Sequence, residues 1–151
     1  MEHVTKAFEA LYAEAAVVIA RGDEWEPMLL AYTNDGRKGP GFSLRNYPNE
    51  DWAGLLRAAY LLVGKQGFTV LTSEAWVTTK SSLEDIKVMP SRDPERKEAI
   101  LFNFLGSDWQ AIATCIINRT HSKLEPGKLG FIGKEITEAG GDQIVHSGKP
   151  S

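Results

Sequence analysis

Three stretches rich in β-branched and aromatic residues, Phe68 to Lys80, Ala99 to Leu105 and Trp109 to Asn118, follow one another in this chain and leave it few ways to fold. Only Gly106-Ser107-Asp108 separates the second from the third, which is hairpin spacing. Between the first and second lies a longer, charge-dense segment that ends Pro90-Ser91-Arg92-Asp93-Pro94-Glu95-Arg96-Lys97-Glu98. Consecutive strands joined this way pair with their neighbours, so the pattern predicts an antiparallel meander.

Upstream, Val4, Phe8, Leu11, Ala15 and Val18 recur at spacings of three and four, with Lys6, Glu9 and Glu14 between them, and predict an amphipathic helix that stops at Gly22. Met28 to Tyr32 reads as a strand. Asn34-Asp35-Gly36 supplies turn chemistry, and Gly39-Pro40-Gly41 is read as extending that loop before a short strand at Phe42 to Arg45. Pro48-Asn49-Glu50-Asp51 then opens a second, more apolar helix through Trp52, Leu55, Leu56, Ala59, Leu62 and Val63. The expected fold class is α+β, a small, mainly antiparallel sheet of about five strands packed against two helices. Residues 1–136 are expected to form one domain, in which Leu129 to Ile132 adds a strand or docks on a neighbour, and 137–151 a flexible C-terminal tail.

At 151 residues the chain can bury one core, since folding at that size hides about 68–70% of the unfolded chain's surface. No apolar run approaches the ~20 residues of a membrane-spanning helix, and the N-terminus lacks the architecture of a secretion signal. Seventeen basic residues against twenty acidic ones, with no concentration of Lys and Arg, argue against nucleic acid as a partner. A single cysteine, Cys115, inside an apolar run fits a reducing compartment, so a soluble, cytoplasmic protein is expected.

The polar centre of the sequence is Ser73-Glu74-Ala75-Trp76 together with the proline-bounded segment. Alternation along a strand puts Phe68, Val70, Thr72, Glu74 and Trp76 on one face, and Leu71, Ser73, Ala75 and Val77 on the other. A carboxylate among such apolar neighbours needs a partner, which Arg96 or Arg119 could supply. Two readings stay open: a structural ion pair, or a carboxylate that grips a ligand or moves a proton. Pro90 and Pro94 stiffen the segment, from which Arg92 and Arg96 can present planar donor forks suited to a carboxylate or phosphate, or tie back to Glu98 and Glu74. The candidate ligand-binding set is therefore Glu74, Trp76, Ser91, Arg92, Arg96 and Glu98.

Glu74-Ala75-Trp76 followed by Pro90-Ser91, Pro94, Arg96 and Glu98 resembles a pattern, E-A-W and P-S-x-x-P-x-R-x-E, of small bacterial and phage proteins of uncharacterised function. The resemblance covers Glu74 to Glu98, with a looser likeness of layout from Met28 to Asn118. It implies one domain and admits a phage or prophage origin, and it implies no activity.

Catalytic constellations do not assemble. His3, His121 and His146 sit in a terminus, a post-strand loop and the tail, so no metal site is expected, and no motif calls for a cofactor. Ser73 lacks a glycine elbow, Cys115 lacks a neighbouring cation, and the glycines around Arg37-Lys38 lack phosphate-loop spacing. Trp25 and Trp109 flank strands and are the candidate contact residues for a subunit or partner, with a homodimer expected. The favoured reading is a non-enzymatic binding module, a phage accessory protein in character, that takes a host protein or a small acidic ligand. The alternatives are a small hydrolase using Glu74 in a pocket beneath the Pro90 to Glu98 segment, and a structural or assembly protein.

Overall fold

Helix α1 (Glu2–Ala20) turns Val4, Ala7, Phe8, Leu11, Ala15 and Ile19 into the protein and leaves Lys6 and Glu9 in water, as the three-and-four spacing requires. Its end is a Schellman motif: Gly22 takes φ +80°, its N–H donates to the Ile19 carbonyl at 2.9 Å, and the Asp23 N–H donates to the Val18 carbonyl at 3.1 Å. The computed structural model describes residues 2–78 and 96–132, and the backbone alone of 144–147.

The sheet is built from β1 (Met28–Thr33), β2 (Lys38–Ser43), β3 (Gly67–Thr78), β4 (Lys97–Leu105), β5 (Gln110–Asn118), β6 (Lys123–Leu124), β7 (Gly130–Ile132) and β8 (Ile144–Ser147). Its order is β2-β1-β3-β4-β5-β6, and all of these pairings are antiparallel. The expected meander is β3-β4-β5. Helix α2 (Trp52–Val63) follows a 3-10 turn at Asn49–Asp51 and completes the α+β fold.

The two helices cover opposite faces. Adjacent residues of β1 show this directly, since Leu30 joins the α1 core with Phe68, Val70, Ile100, Phe102 and Phe104, whereas Leu29 joins Leu44, Trp52, Leu56 and Leu71 under α2. Phe8 of α1 meets Phe102 edge-on, ring centroids 5.3 Å apart, and Tyr32 stacks on Phe68 at 5.1 Å. The face assignment read from alternation along β3 therefore holds, with Glu74 on the α1 side.

Two elements differ from the sequence reading. Gly39-Pro40-Gly41 is strand and not loop: β2 begins at Lys38, and its register with β1 slips by one residue between Leu30 and Tyr32. Pro40 is tolerated because β2 is an edge strand with a bulge. Gly41 leaves room for a core side chain, since a Cβ there would stand 2.3 Å from Leu30 Cδ2 and displace it. The second difference is β8. Residues 144–147, inside the stretch read as a tail, pair with Ala75–Thr78. Strand β1 covers only Gly67–Thr72 of the long β3, and β8 takes up the backbone groups left on the same edge. Likewise β6 and β7 share the outer edge of β5, the Leu129 to Ile132 island supplying β7.

Candidate functional site

The end of the sheet beyond the C-terminus of α1 carries the polar centre. Thr72, Glu74 and Trp76 project from β3 on the α1 face, and Trp76 stands directly across from Glu98 of β4. Arg119 enters from the turn after β5, a turn held by the Ser122 N–H on the Arg119 carbonyl (3.3 Å) and the His121 N–H on Asn118 Oδ1 (3.2 Å), with Ser122 at φ +49°.

Glu74 is 9% exposed and both of its oxygens are engaged. Oε2 accepts the backbone N–H of Trp25 at 2.7 Å, and Oε1 accepts Arg119 Nη2 at 3.2 Å. The same guanidinium donates through Nε to Glu98 Oε2 at 2.9 Å and through Nη1 to the Asp23 carbonyl at 3.3 Å. Burial by itself pulls the Arg119 pKa down, but the hydrogen bond to Glu98 and the charges of Glu74 and Glu98 outweigh it and hold the group above its ordinary value. One cation thus ties β3, β4, the post-β5 turn and the segment after α1 together. The Trp25 indole adds a further tie, its Nε1 donating to Thr72 Oγ1 at 2.9 Å.

Arg96 does something else. Its guanidinium lies over the Trp76 ring, 4.3 Å from the centroid, with Arg96 exposed and Trp76 half-buried. Of the two proposed partners for Glu74, the structure gives that role to Arg119. Ser91, Arg92 and the remainder of the Pro90 to Glu95 segment lie outside the described residues.

Trp25 and Trp109, the candidate contact residues, stand in different settings. Trp25 is 8% exposed and belongs to the α1 core, because its backbone and indole N–H groups both bond to β3. Trp109 is half-buried between Phe68 and Phe131, at centroid distances of 5.9 and 6.2 Å, folded back over Gly106. Cys115 is fully buried, and burial pushes its thiol pKa up to about 11. What the sequence reading missed is the role of Asp23 and Trp25 as backbone partners. The one available signal was Gly22, whose helix stop fixes where the following residues begin.

A separate cleft of about 370 Å³ lies between α1 and the β1–β2 hairpin, lined by His3, Lys6, Glu14, Tyr32, Asp35 and Lys38 among others. Its charges are mixed in sign. Among the described residues no helix is long and apolar enough to cross a membrane. The chain matches no family model, no curated protein and no solved structure.

Proposed function

We propose that this protein is a non-enzymatic binding module that takes an acidic group, on a host protein or a small ligand, at the end of the sheet formed by Trp76, Arg96 and Glu98. The carrying observation is the Arg96 guanidinium stacked at 4.3 Å on Trp76 at the protein surface. Stacking on the indole holds the guanidinium plane, and a planar guanidinium fork is the group suited to bidentate recognition of a carboxylate or phosphate. Ser91 and Arg92 precede it in the sequence and are assigned to the same contact. The neighbouring ionic centre supports a binding role over a hydrolytic one. Glu74 is 9% exposed and accepts the Trp25 N–H and Arg119 Nη2, contacts that tie the scaffold together behind the surface.

Native mass spectrometry of freshly purified wild-type, Arg96→Ala and Trp76→Ala protein, followed by pull-down from host extract, tests this reading. The expected result is a retained small acid or a captured protein that both substitutions remove. Folded variants that retain the same species at wild-type levels would remove the role of this surface.

A further inference from the structure

The cleft between α1 and the β1–β2 hairpin, about 370 Å³, follows one face of the helix from His3 to Glu14, a rise of about 16 Å. Its floor is apolar, made by Ala7, Leu11 and the ring of Tyr32, which is stacked on Phe68. One end is closed where His3 packs against the turn at Gly36, so closely that a Cβ there would stand 3.1 Å from His3 Nδ1. Toward the other end Tyr32 and Lys38 are cross-strand partners, so their side chains share the hairpin face turned to α1. Burial and then the Glu14 carboxylate push the Tyr32 phenol up to about 12, which puts Glu14 within electrostatic reach of it. Two further charges along the cleft are already committed, since Lys6 pairs with Glu2 at 3.2 Å and Asp35 with Arg37 at 3.2 Å. Glu14, Lys38 and the Tyr32 hydroxyl have no ion-pair or hydrogen-bond partner among the described residues, although Tyr32 is only 6% exposed. A hydroxyl so placed needs a partner, and the cleft is the space from which one can come.

We propose that this cleft binds a free aliphatic amino acid, its ammonium group on Glu14, its carboxylate on Lys38, and the Tyr32 hydroxyl donating to that carboxylate. The three unpartnered groups select this class. One anion and one cation beside a single hydroxyl match a small molecule that carries both charges close together. A ligand that is only an anion meets Glu14 as a like charge, and one that is only a cation meets Lys38 in the same way. The floor of Ala7 and Leu11 takes the aliphatic side chain, and the volume lies within the range of small-molecule sites, about 300–1,000 Å³. Both charged residues are exposed and the ligand has only about nine non-hydrogen atoms, so a dissociation constant of about 10 µM to 1 mM is expected. The site makes no use of the Arg96–Trp76 surface and does not rest on it.

Protein-observed heteronuclear NMR titration of the full chain with L-leucine tests the proposal, alongside leucinamide, which lacks the carboxylate, and isocaproate, which lacks the ammonium. Leucine is expected to give saturable shifts at the backbone amides of Ala10, Tyr32 and Gly36, and each single-charge probe to bind about tenfold more weakly. Glu14→Gln and Lys38→Met, both at exposed positions, are expected to weaken leucine by about threefold to tenfold. Tyr32→Phe keeps the stacked ring and should weaken it about fivefold, whereas Arg96→Ala leaves it unchanged. Absence of a saturable shift up to about 10 mM leucine overturns the proposal. So does leucinamide or isocaproate binding as tightly as leucine, and so does leucine binding that is indifferent to both Glu14→Gln and Lys38→Met. Leucine binding abolished by Arg96→Ala would place the ligand at the other surface and overturn it equally.

Discussion

Replacing Arg119 by Met removes every N–H that this guanidinium donates and keeps most of the apolar stem. The bonds to Glu98 and the Asp23 carbonyl lie at a partly exposed rim, since the Arg119 and Glu98 side chains are 36% and 25% exposed, and water can replace each for less than about 1 kcal/mol. Glu74 is different. At 9% exposure it keeps the Trp25 N–H and loses the Arg119 cation, and removing one partner of a buried ion pair costs about 3–5 kcal/mol when burial is complete. With one bond retained and a partly wet rim, about 2–3 kcal/mol falls on Glu74, for a total near 3 kcal/mol. Glu74→Gln alone should cost about 2 kcal/mol, because it leaves Arg119 one counter-charge short. The double variant should cost less than the sum by about 1.5–2 kcal/mol, since the second substitution removes the group that the first one strands. Urea unfolding followed by tryptophan fluorescence measures all four corners of this cycle, with Trp25 and Trp76 as nearby reporters. A coupling below about 0.3 kcal/mol would refute the argument that Arg119 exists to neutralise Glu74.

Burial pushes the Cys115 thiol up from its ordinary 9.0 to about 11, and the Tyr32 phenol from 10.0 to about 12. Both are raised, so the stability each contributes is complete below its unfolded value and is lost as pH climbs through the folded one. Urea midpoints should accordingly fall between about pH 9 and 11, and Cys115→Ala should flatten that fall without removing the Tyr32 contribution above pH 10. Alkylation of Cys115 by iodoacetamide at pH 8 should be slow in native protein and rapid in urea; equal rates would contradict the burial. Gly22→Ala should cost about 1–2 kcal/mol through its positive φ alone, with no contact to disturb. Gly41→Ala should cost about 1–3 kcal/mol by displacing Leu30 from the α1 core, measured by the same unfolding assay.

Features set by local periodicity were legible in the sequence. The three-and-four spacing from Val4 to Ile19 fixed α1, alternation from Phe68 to Val77 fixed the two faces of β3, and the short gap at Gly106 fixed the β4–β5 hairpin. What escaped depends on partners far away in the chain. Pro40 argues against a strand until the edge position and bulge of β2 are known. Ile144 to Ser147 is too short to declare itself, and becomes a strand because β3 has backbone groups left to satisfy. The candidate site was half visible. Alternation made Glu74 an acid in need of a base, but sequence offered Arg96 and Arg119 on equal terms, and only the turn after β5 decides between them. Trp25 was read as a contact residue because it flanks a strand, whereas its N–H groups are held by Glu74 and Thr72.

The pairing of β8 with β3 sets an order of events during synthesis. Strand β3 and its partners β1, β4 and β5 leave the ribosome well before residues 144–147 do, so the meander can form while the edge at Ala75–Thr78, beside Trp76, still lacks its partner. At ordinary elongation rates that interval lasts roughly 1.5–6 s. For that time the nascent chain carries an open strand edge next to Trp76, available to any extended peptide that meets it. Emergence of β8 closes the edge, and an intruding strand must then compete with a segment tethered to the same molecule at high effective concentration.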